Sequence, residues 1–508
     1  MTTPAIPTIP TIPDTSATQQ QLAMKFLLLL GCYFSLHILL RVLISDALDY
    51  DEAEQALLGQ WLLAGYTEQP PLYTWVQYFL FELFGKNVFA VSLLKNCLLF
   101  LTYVFVFLSG REILRDTRLA ILASCSLLLI PQIGWESQRD MTHTTLVVCA
   151  ASASLWQALR LVKKQNLVNY CVFGLLLSVG ILGKANFALF IATLLVALAT
   201  FSEGRKVLLS PKIAVTILIM AVVTGPYFLW MYENQDIVFS VTHKFKRAVE
   251  DYQLQGVISL FVKSFLFLTP MWLICLLVFP AAFGRNQNPE TGFHQQFIKR
   301  YILTLFLILL ATILVFKVTY VKDRWLQPLL FAAPIFFFSR LDPAKIYPRR
   351  FKLFLKVISI AAIAVYLAFS IRVAGASYIH SFCRMNYPFT AIAKDLRQTG
   401  FSDGLIISNN RFLAGNMRIQ FPGSTALIPG YKFESRTTVD GFSAAAVIWE
   451  ADRSPAMPPE LASFLTKTYN IVPTDYPVNY FQHKYKYGRT ETVKFALMQF
   501  PLPANPVE

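Results

Sequence analysis

Residues 26–45 read FLLLLGCYFSLHILLRVLIS, and residues 46–55 read DALDYDEAEQ. The first stretch is long enough to cross a bilayer, which takes about 20 apolar residues. His37 and Arg41 interrupt it and no small-residue cleavage site follows, so we interpret it as a retained membrane helix rather than a removed signal. This helix opens directly onto an acidic segment, so the pair predicts a membrane span with carboxylates clustered at one end.

The composition of the whole chain agrees with a membrane protein. Of its 508 residues, 55% are hydrophobic and 15% are charged, whereas an average soluble protein has about 25% charged residues. A net charge of +15 would suggest nucleic acid in a soluble protein, but cytoplasmic loops of membrane proteins also collect Lys and Arg. We therefore expect no nucleic-acid partner. The seven cysteines show no C-x-x-C spacing and predict neither a disulfide nor a zinc site.

Hydropathy predicts a polytopic α-helical membrane protein with about 11–13 spans. The candidate spans are the apolar runs 26–45, 88–109, 119–134, 141–162, 167–183, 185–201, 213–232, 258–283, 301–317, 326–339 and 353–374.

Basic residues assign a side of the membrane to each connection. They collect in alternate connections, beginning with Arg111 and Arg115, and this pattern marks the cytoplasmic face. Residues 1–24 are expected to form a disordered cytoplasmic tail. The transmembrane domain at 25–375 then has a long first external loop at 46–87, and everything after residue 375 lies outside.

The external tail differs from the rest of the chain. Its apolar runs shorten to strand length and alternate with helix-like stretches, which predicts a small α/β domain over residues 376–508. The predicted strands are 405–407, 444–449 and 495–500, and the predicted helices are 388–398, 411–420 and 459–468.

Charged residues at the external ends of distant spans are the main functional signal. They are Asp51, Glu68, Asp140, Lys184 and Arg324. Each has an ordinary explanation, such as a helix cap, a headgroup contact, a snorkelling lysine or, for the acidic segment, a surface helix over 51–64. The predicted topology nevertheless places all five on one face. There a carboxylate can take the proton of an alcohol, and cations can stabilise a departing phosphate.

The first external loop resembles that of a known enzyme family. Asp51-Glu52-Ala53, followed by EQPPLYTW at 68–75, looks like the first-loop pattern of bacterial GT-C glycosyltransferases. These are the dolichyl-phosphate-mannose protein mannosyltransferase-like group and the aminoarabinose lipid A transferases. GKANF at 183–187 and RWLQP at 324–328 are similar to later motifs of the same group. The resemblance covers about residues 26–340.

The resemblance implies an inverting transfer of a sugar from a polyprenyl-phosphate donor on the periplasmic face of a bacterial inner membrane. Asp51 would be the catalytic base or its partner, and Asp140 would be the second acidic residue. Lys184 and Arg324 would contact the lipid phosphate. The expected partners are membrane lipids and the lipid-linked donor. The resemblance implies no certain cofactor, although the superfamily allows a divalent cation between acidic residues. Further substrate-binding candidates on this face are Glu52, Glu68, Gln69, Tyr73, Arg139, His143 and Lys322.

Two departures from the family pattern affect the expected donor site. Gln69 stands where the family has a lysine, and Glu54-Gln55 replace an Arg-Tyr pair. The variant QPPLYTW is similar to the branch that contains lipid A and core galacturonosyltransferases, so we expect lipid A or lipopolysaccharide core as acceptor. The donor phosphate would rely on the remaining external cations, which are Lys184, Arg324, Arg139 and the segment KFKR at 244–247.

Two other functions remain open on the sequence. An enzyme of the same fold could glycosylate a protein instead of a lipid, and a transporter or flippase could move a lipid-linked sugar. The sequence does not favour a transporter. Transporters place their polar sites near the membrane midplane between inverted repeats, whereas here the charges lie at one external face and no inverted repeat is visible. Arg41, Lys95 and Lys263 are the exceptions within or near spans.

Overall fold

The structure, a computed structural model, describes residues 16–67, 69–239, 253–284, 293–343, 347–431 and 442–502. Helices dominate it up to Ala374. The first group comprises α1 (Ser16–Ile44), α2 (Tyr50–Leu58), α3 (Leu72–Phe84), α4 (Val88–Leu114), α5 (Thr117–Cys125), α6 (Ser137–Arg139), α7 (His143–Lys163), α8 (Leu167–Ile181), α9 (Phe187–Ala199), α10 (Ser202–Leu208), α11 (Ile213–Glu233) and α12 (Gln235–Phe239). The second group comprises α13 (Gln253–Phe267), α14 (Met271–Val278), α15 (Phe293–Phe316), α16 (Asp323–Leu330), α17 (Ala333–Phe338) and α18 (Pro348–Ala374).

The described residues contain fewer spans than the sequence predicts. Six helices are long and apolar enough to cross a membrane, namely α1, α4, α7, α11, α15 and α18. Two further pairs are sharply bent, Thr117–Leu129 with Gln132–Arg139 at 73° and Leu254–Phe267 with Met271–Val278 at 57°. Counting each pair as one span gives up to eight candidate spans by length and composition, fewer than the 11–13 that hydropathy predicts.

Prolines and short helices account for the difference. Pro131 and Pro270 lie in the two breaks, and the predicted run 326–339 divides into α16 and α17 just before Pro334. Proline lacks an N–H and its ring collides with the preceding helical turn. The apolar helices α8 and α9 have only 15 and 13 residues, fewer than the ~20 that a perpendicular span needs. Average hydropathy does not detect such breaks.

The start of the chain also differs from the prediction. Helix α1 begins at Ser16, so residues 16–24 of the predicted disordered tail are helical. Residues 1–15 lie outside the described part of the chain.

The centre of the bundle is α7. In α7, 83% of the apolar stretch is buried inside the protein, whereas in α18 only 11% of the apolar stretch is buried. The run from Cys149 to Ser154 consists of small side chains, which allow neighbouring helices to approach closely, and α4 and α8 both pack against it. Asp140 comes three residues before α7, so the most enclosed helix of the bundle anchors its backbone.

A buried ion network ties the end of α1 to α2 and α4. Glu52, 1% exposed, accepts 2.7 Å hydrogen bonds from Arg41 Nη2 and from Lys95 Nζ. The same carboxylate accepts the backbone N–H of Asp49 at 3.1 Å, and Asp49 in turn caps α2, which is the reciprocal arrangement called a capping box. The two cations hold the pKa of Glu52 well below its usual range although burial opposes this.

The C-terminal domain is a mixed five-stranded sheet with helices, as the sequence predicts. The strand order is β2-β1-β3-β5-β4, with β1 parallel to β2 and β3, and β5 antiparallel to β3 and β4. All six predicted elements are confirmed, while β2 and β4 were not predicted. The elements are α19 (Phe389–Gln398), β1 (Leu405–Ser408), α20 (Arg411–Gln420), β2 (Thr425–Leu427), β3 (Ala444–Glu450), α21 (Pro459–Tyr469), β4 (Val478–Lys484) and β5 (Thr492–Pro501).

This domain docks on α2. A Cβ at Gly415 would lie 2.0 Å from the carbonyl oxygen of Ala53, so α20 approaches α2 at a distance that only glycine permits. Asn416 Oδ1 accepts the backbone N–H of Leu48 at 2.7 Å, and Arg418 Nη1 donates to Ala56 O at 2.6 Å.

The same docking rules out the surface helix expected over 51–64. Helix α2 ends at Leu58. Both Leu57 and Leu58 are buried in hydrophobic cores shared with the sheet domain. The apolar face of α2 therefore packs on protein rather than on the membrane surface.

The ion network predicts a large stability effect at one residue. We expect Glu52→Gln to destabilise the protein by about 3–5 kcal/mol, since Arg41 and Lys95 would remain buried without their counter-charge. Thermal unfolding of the purified protein in detergent measures this. Glu82→Gln, which changes an exposed carboxylate on α3, is the control. An equal, small effect of both substitutions would contradict the structural role of Glu52.

Candidate active site

A cavity of about 340 Å³ opens where the membrane bundle meets the sheet domain. Its walls come from the first turn of α2, the α6–α7 connection, the α8–α9 turn, the start of α16 and two segments of the C-terminal domain. The lining residues are Tyr50, Asp51, Glu54, Gln69, Asp140, Thr142, His143, Thr144, Lys184, Arg324, Arg384 and Arg411.

Six of the residues predicted from the sequence meet in this cavity although they are widely separated in the chain. They are Asp51, Gln69, Asp140, His143, Lys184 and Arg324. The predicted convergence of acidic and basic side chains at one mouth of the bundle is therefore present in the fold. Their individual roles in chemistry stay predictions.

Two carboxylates lie side by side in the cavity. Asp140 Oδ1 accepts the backbone N–H of Asp51 at 3.1 Å. Burial, together with the negative charges of Asp51 and Asp49, raises the pKa of Asp140 to about 7. Burial also raises the pKa of Asp51, although Arg324, Lys95 and Lys184 oppose the shift. Raised carboxyl pKa values bring a proton acceptor close to neutral pH, which is what general base catalysis requires.

Two cations from the membrane domain lie near Asp51. Lys184, in the turn between α8 and α9, donates from Nζ to Thr144 Oγ1 at 2.8 Å. Burial and the neighbouring charge of Arg324 lower the pKa of Lys184 to about 8. Arg324, the second residue of α16, is exposed. An anion between these side chains would favour the charged lysine, so the pair is suited to a phosphate.

Two further cations come from the C-terminal domain, and sequence reasoning missed both. Arg384 Nη1 lies 3.2 Å from Asp49 Oδ1 and 3.9 Å from Asp140 Oδ2. Arg411, the first residue of α20, pairs with Glu54. Because 335 positions separate Arg384 from Asp49 and 357 separate Arg411 from Glu54, no local motif connects these pairs.

His143 is held in one orientation at the back of the cavity. Its Nδ1 lies 3.3 Å from the carbonyl oxygen of Gly183 and its Nε2 lies 3.2 Å from Gln55 Nε2. A carbonyl only accepts, so Nδ1 carries the proton and Nε2 accepts from the amide of Gln55. Thr74 fixes that amide through a 2.7 Å hydrogen bond to Gln55 Oε1.

The structure corrects two of the predicted substrate contacts. Glu52 does not line the cavity, because its carboxylate is buried against Arg41 and Lys95. Tyr73 is fully buried beside His143, with ring centroids 5.5 Å apart. Neither residue lines the cavity; Glu52 pairs with Arg41 and Lys95, and Tyr73 packs against His143.

Four other predicted contacts do not reach the cavity or cannot be placed. Arg139 forms an i,i+3 ion pair with Glu136 outside it. Lys322 immediately precedes α16 and lies close enough to lower the pKa of Lys184, but it does not line the cavity wall. Glu68 and the segment 244–247 lie outside the described residues. Among described side chains, no group of three His, Cys, Asp or Glu is placed to hold a metal ion.

Comparison with known proteins shows which proteins this chain is similar to. The family model described as dolichyl-phosphate-mannose-protein mannosyltransferase matches residues 68–230. The lipopolysaccharide core galacturonosyltransferase RgtB of Rhizobium johnstonii is 32% identical over 450 residues, which cover 86% of this chain and 90% of that protein. RgtA of the same organism, also a lipopolysaccharide core galacturonosyltransferase, is 31% identical over 415 residues, or 80% and 82% of the two chains.

Solved structures show the same architecture. ArnT from Cupriavidus metallidurans has a TM-score of 0.60 at 15% identity in its apo state, and 0.58 at 14% identity bound to undecaprenyl phosphate. Each match covers 93% of this chain and 98% of the other. Fold and relatives together define a multi-pass membrane glycosyltransferase of the GT-C type. Within that class, the chain belongs to the family of the lipopolysaccharide core galacturonosyltransferases.

The raised pKa of Asp140 predicts a pH-dependent stability difference. The folded protein holds this proton up to about pH 7, whereas the unfolded chain releases it near 3.8. Wild-type stability should therefore fall as the pH rises from about 4 to about 7, relative to Asp140→Asn, which has no such proton. Thermal unfolding of both proteins across this range measures the gap, and Glu136→Gln should follow the wild type. A stability difference between the two proteins that stays constant, or that shifts in favour of the wild type as the pH rises, would contradict the assignment.

Proposed function

We propose that this protein transfers galacturonic acid from a polyprenyl-phosphate donor to the lipopolysaccharide core at the periplasmic face of the inner membrane. The observation that carries the proposal is the Asp51–Asp140 pair in one cavity with Lys184 and Arg324. The names of RgtA and RgtB support the sugar and the acceptor. The undecaprenyl phosphate bound to ArnT supports a lipid phosphate as carrier.

The proposed reaction is one displacement with inversion at the anomeric carbon. An acceptor hydroxyl oxygen attacks C1 of the sugar while its proton passes to the carboxylate of Asp51. The bond between C1 and the phosphate oxygen breaks, and its electron pair leaves with the lipid phosphate. Lys184 and Arg324 stabilise the charge that develops on that phosphate. Asp140, hydrogen-bonded to the backbone of Asp51, positions the first turn of α2 and the base on it.

The orientation of the site follows from the distribution of basic residues. The connection after α4 carries Arg111, Arg115 and Arg118, which mark the cytoplasmic face. The cavity lies at the opposite ends of the helices, beside the C-terminal domain. This distribution supports a periplasmic reaction and a cytoplasmic N-terminus.

A protein acceptor is the second candidate, because the matching family model describes protein mannosyltransferases. That match covers residues 68–230 only. The two lipopolysaccharide enzymes align with 80% or more of the chain, which favours the glycolipid acceptor.

Transfer should depend on both cavity carboxylates, and most strongly on Asp51. We expect Asp51→Asn to reduce kcat at least 100-fold, the lower range for loss of a general base. Asp140→Asn, which changes the residue that positions this base, should reduce kcat by a smaller factor, and both proteins should stay folded. Transfer from synthetic polyprenyl-phosphate galacturonate to purified core acceptor in detergent measures this. Glu136→Gln, a nearby carboxylate outside the cavity, should leave the rate unchanged. Near-normal turnover by Asp51→Asn would place the base elsewhere.

A deletion strain tests the acceptor. Mass spectrometry of its lipid A and core oligosaccharide should show the loss of a mass corresponding to one hexuronic acid residue, which returns when the gene is supplied on a plasmid. The same gene carrying Asp51→Asn should not restore it. Unchanged lipopolysaccharide together with a mass change in a periplasmic glycoprotein would favour the protein acceptor instead.

A further inference from the structure

Two arginines of the C-terminal domain flank a single aromatic ring in the cavity. The guanidinium carbons of Arg384 and Arg411 each lie 4.7 Å from the centroid of the Tyr50 ring. Stacking on an aromatic ring fixes the plane of a guanidinium and orients its N–H groups. The arrangement therefore presents two oriented arginines beside Asp51.

Domain docking alone does not explain these arginines. The domain is already held on α2 and on the connection that precedes it by Gly415, Asn416 and Arg418. The side chain of Arg384 is 48% exposed, while its partner Asp49 is 2% exposed. One nitrogen of this guanidinium, Nη1, contacts Asp49 at 3.2 Å, and a guanidinium has five N–H donors. Much of this guanidinium thus faces the cavity.

The cavity therefore contains two separate groups of cations. Lys184 and Arg324 come from the membrane domain and act on Asp51. Arg384 and Arg411 come from the sheet domain and surround Tyr50. A single phosphate held by Lys184 and Arg324 would leave Arg384 and Arg411 available for a second anion.

We infer that Arg384 and Arg411 bind the carboxylate of the sugar that is transferred and so select a uronic acid over a neutral hexose. The inference rests on the proposed function. A polyprenyl-phosphate uronate carries two anions, the phosphate at one end of the sugar and the carboxylate at the other. Arginine forks match carboxylates with two parallel hydrogen bonds. A cavity of about 340 Å³ is within the size range of small-molecule sites.

The test compares two donors that differ at one group. Polyprenyl-phosphate galacturonate is the substrate, and polyprenyl-phosphate galactose, with a hydroxymethyl group in place of the carboxylate, is the competitor. Its inhibition constant gives its affinity whether or not it is turned over. We expect Arg384→Gln to raise KM for the uronate donor at least ~10-fold, the usual effect of losing a charged hydrogen bond, and to leave the inhibition constant of the galactose donor within about twofold.

Matched variants separate recognition from folding. Arg384→Lys keeps the charge and loses the fork, so its KM should lie between wild type and Arg384→Gln. Glu54→Gln/Arg411→Gln removes that ion pair as a unit and should also raise KM for the uronate donor only. Arg453→Gln, which affects an exposed arginine of the same domain paired with Glu450, should change neither constant.

Each other outcome overturns the inference. Equal changes for both donors would assign the arginines to structure. A higher KM for the acceptor with unchanged donor constants would assign them to an anion of the acceptor. Unchanged constants would leave them without a role in binding. If the wild type transferred nothing from the uronate donor, the proposed function itself would fail, and this result is distinct from the others.

Discussion

The position of the acidic site depends on the buried carboxylate of Glu52. A charge in this position is costly unless both of its oxygens are compensated, and here Arg41 from α1 and Lys95 from α4 each compensate one. The same carboxylate caps α2 through Asp49. Helices α1, α2 and α4 are thereby fixed to one another at Glu52, the residue next to Asp51. The two adjacent carboxylates therefore have different roles. Glu52 stabilises the packing of the helices, whereas Asp51 lines the cavity.

The sheet domain forms part of the site rather than a separate appendage. Helix α2 is polar in sequence but almost entirely buried, because the C-terminal domain covers the face that the membrane bundle leaves open. The close approach at Gly415 brings α20 against α2, and this places Arg411 beside Glu54. A domain that supplies part of the wall also limits the access of water, which strengthens every charge interaction within the cavity.

The sequence predicts the convergence of Asp51, Asp140, Lys184 and Arg324, because membrane topology restricts each span end to one of two faces. It does not predict how many spans there are, since prolines such as Pro131 break helices that remain apolar on average. Nor can it separate Glu52 from Asp51, because both are carboxylates in the same loop and only tertiary packing buries one of them. Arg384 was missed for another reason. Its contact with Asp49 links positions 335 residues apart, and neither residue belongs to a recognisable motif.

The charges around Asp51 also suggest how binding of the proposed donor would change the basicity of Asp51. Before the donor binds, Lys184, Arg324 and Lys95 oppose the rise that burial causes in the pKa of Asp51. A phosphate held by Lys184 and Arg324 would neutralise two of these cations, and the pKa of Asp51 would then rise further. A carboxylate with a higher pKa is a stronger base, so the proton affinity of Asp51 would increase when the donor phosphate is bound. On this mechanism the same cations first weaken the base in the empty cavity and later stabilise the phosphate that leaves.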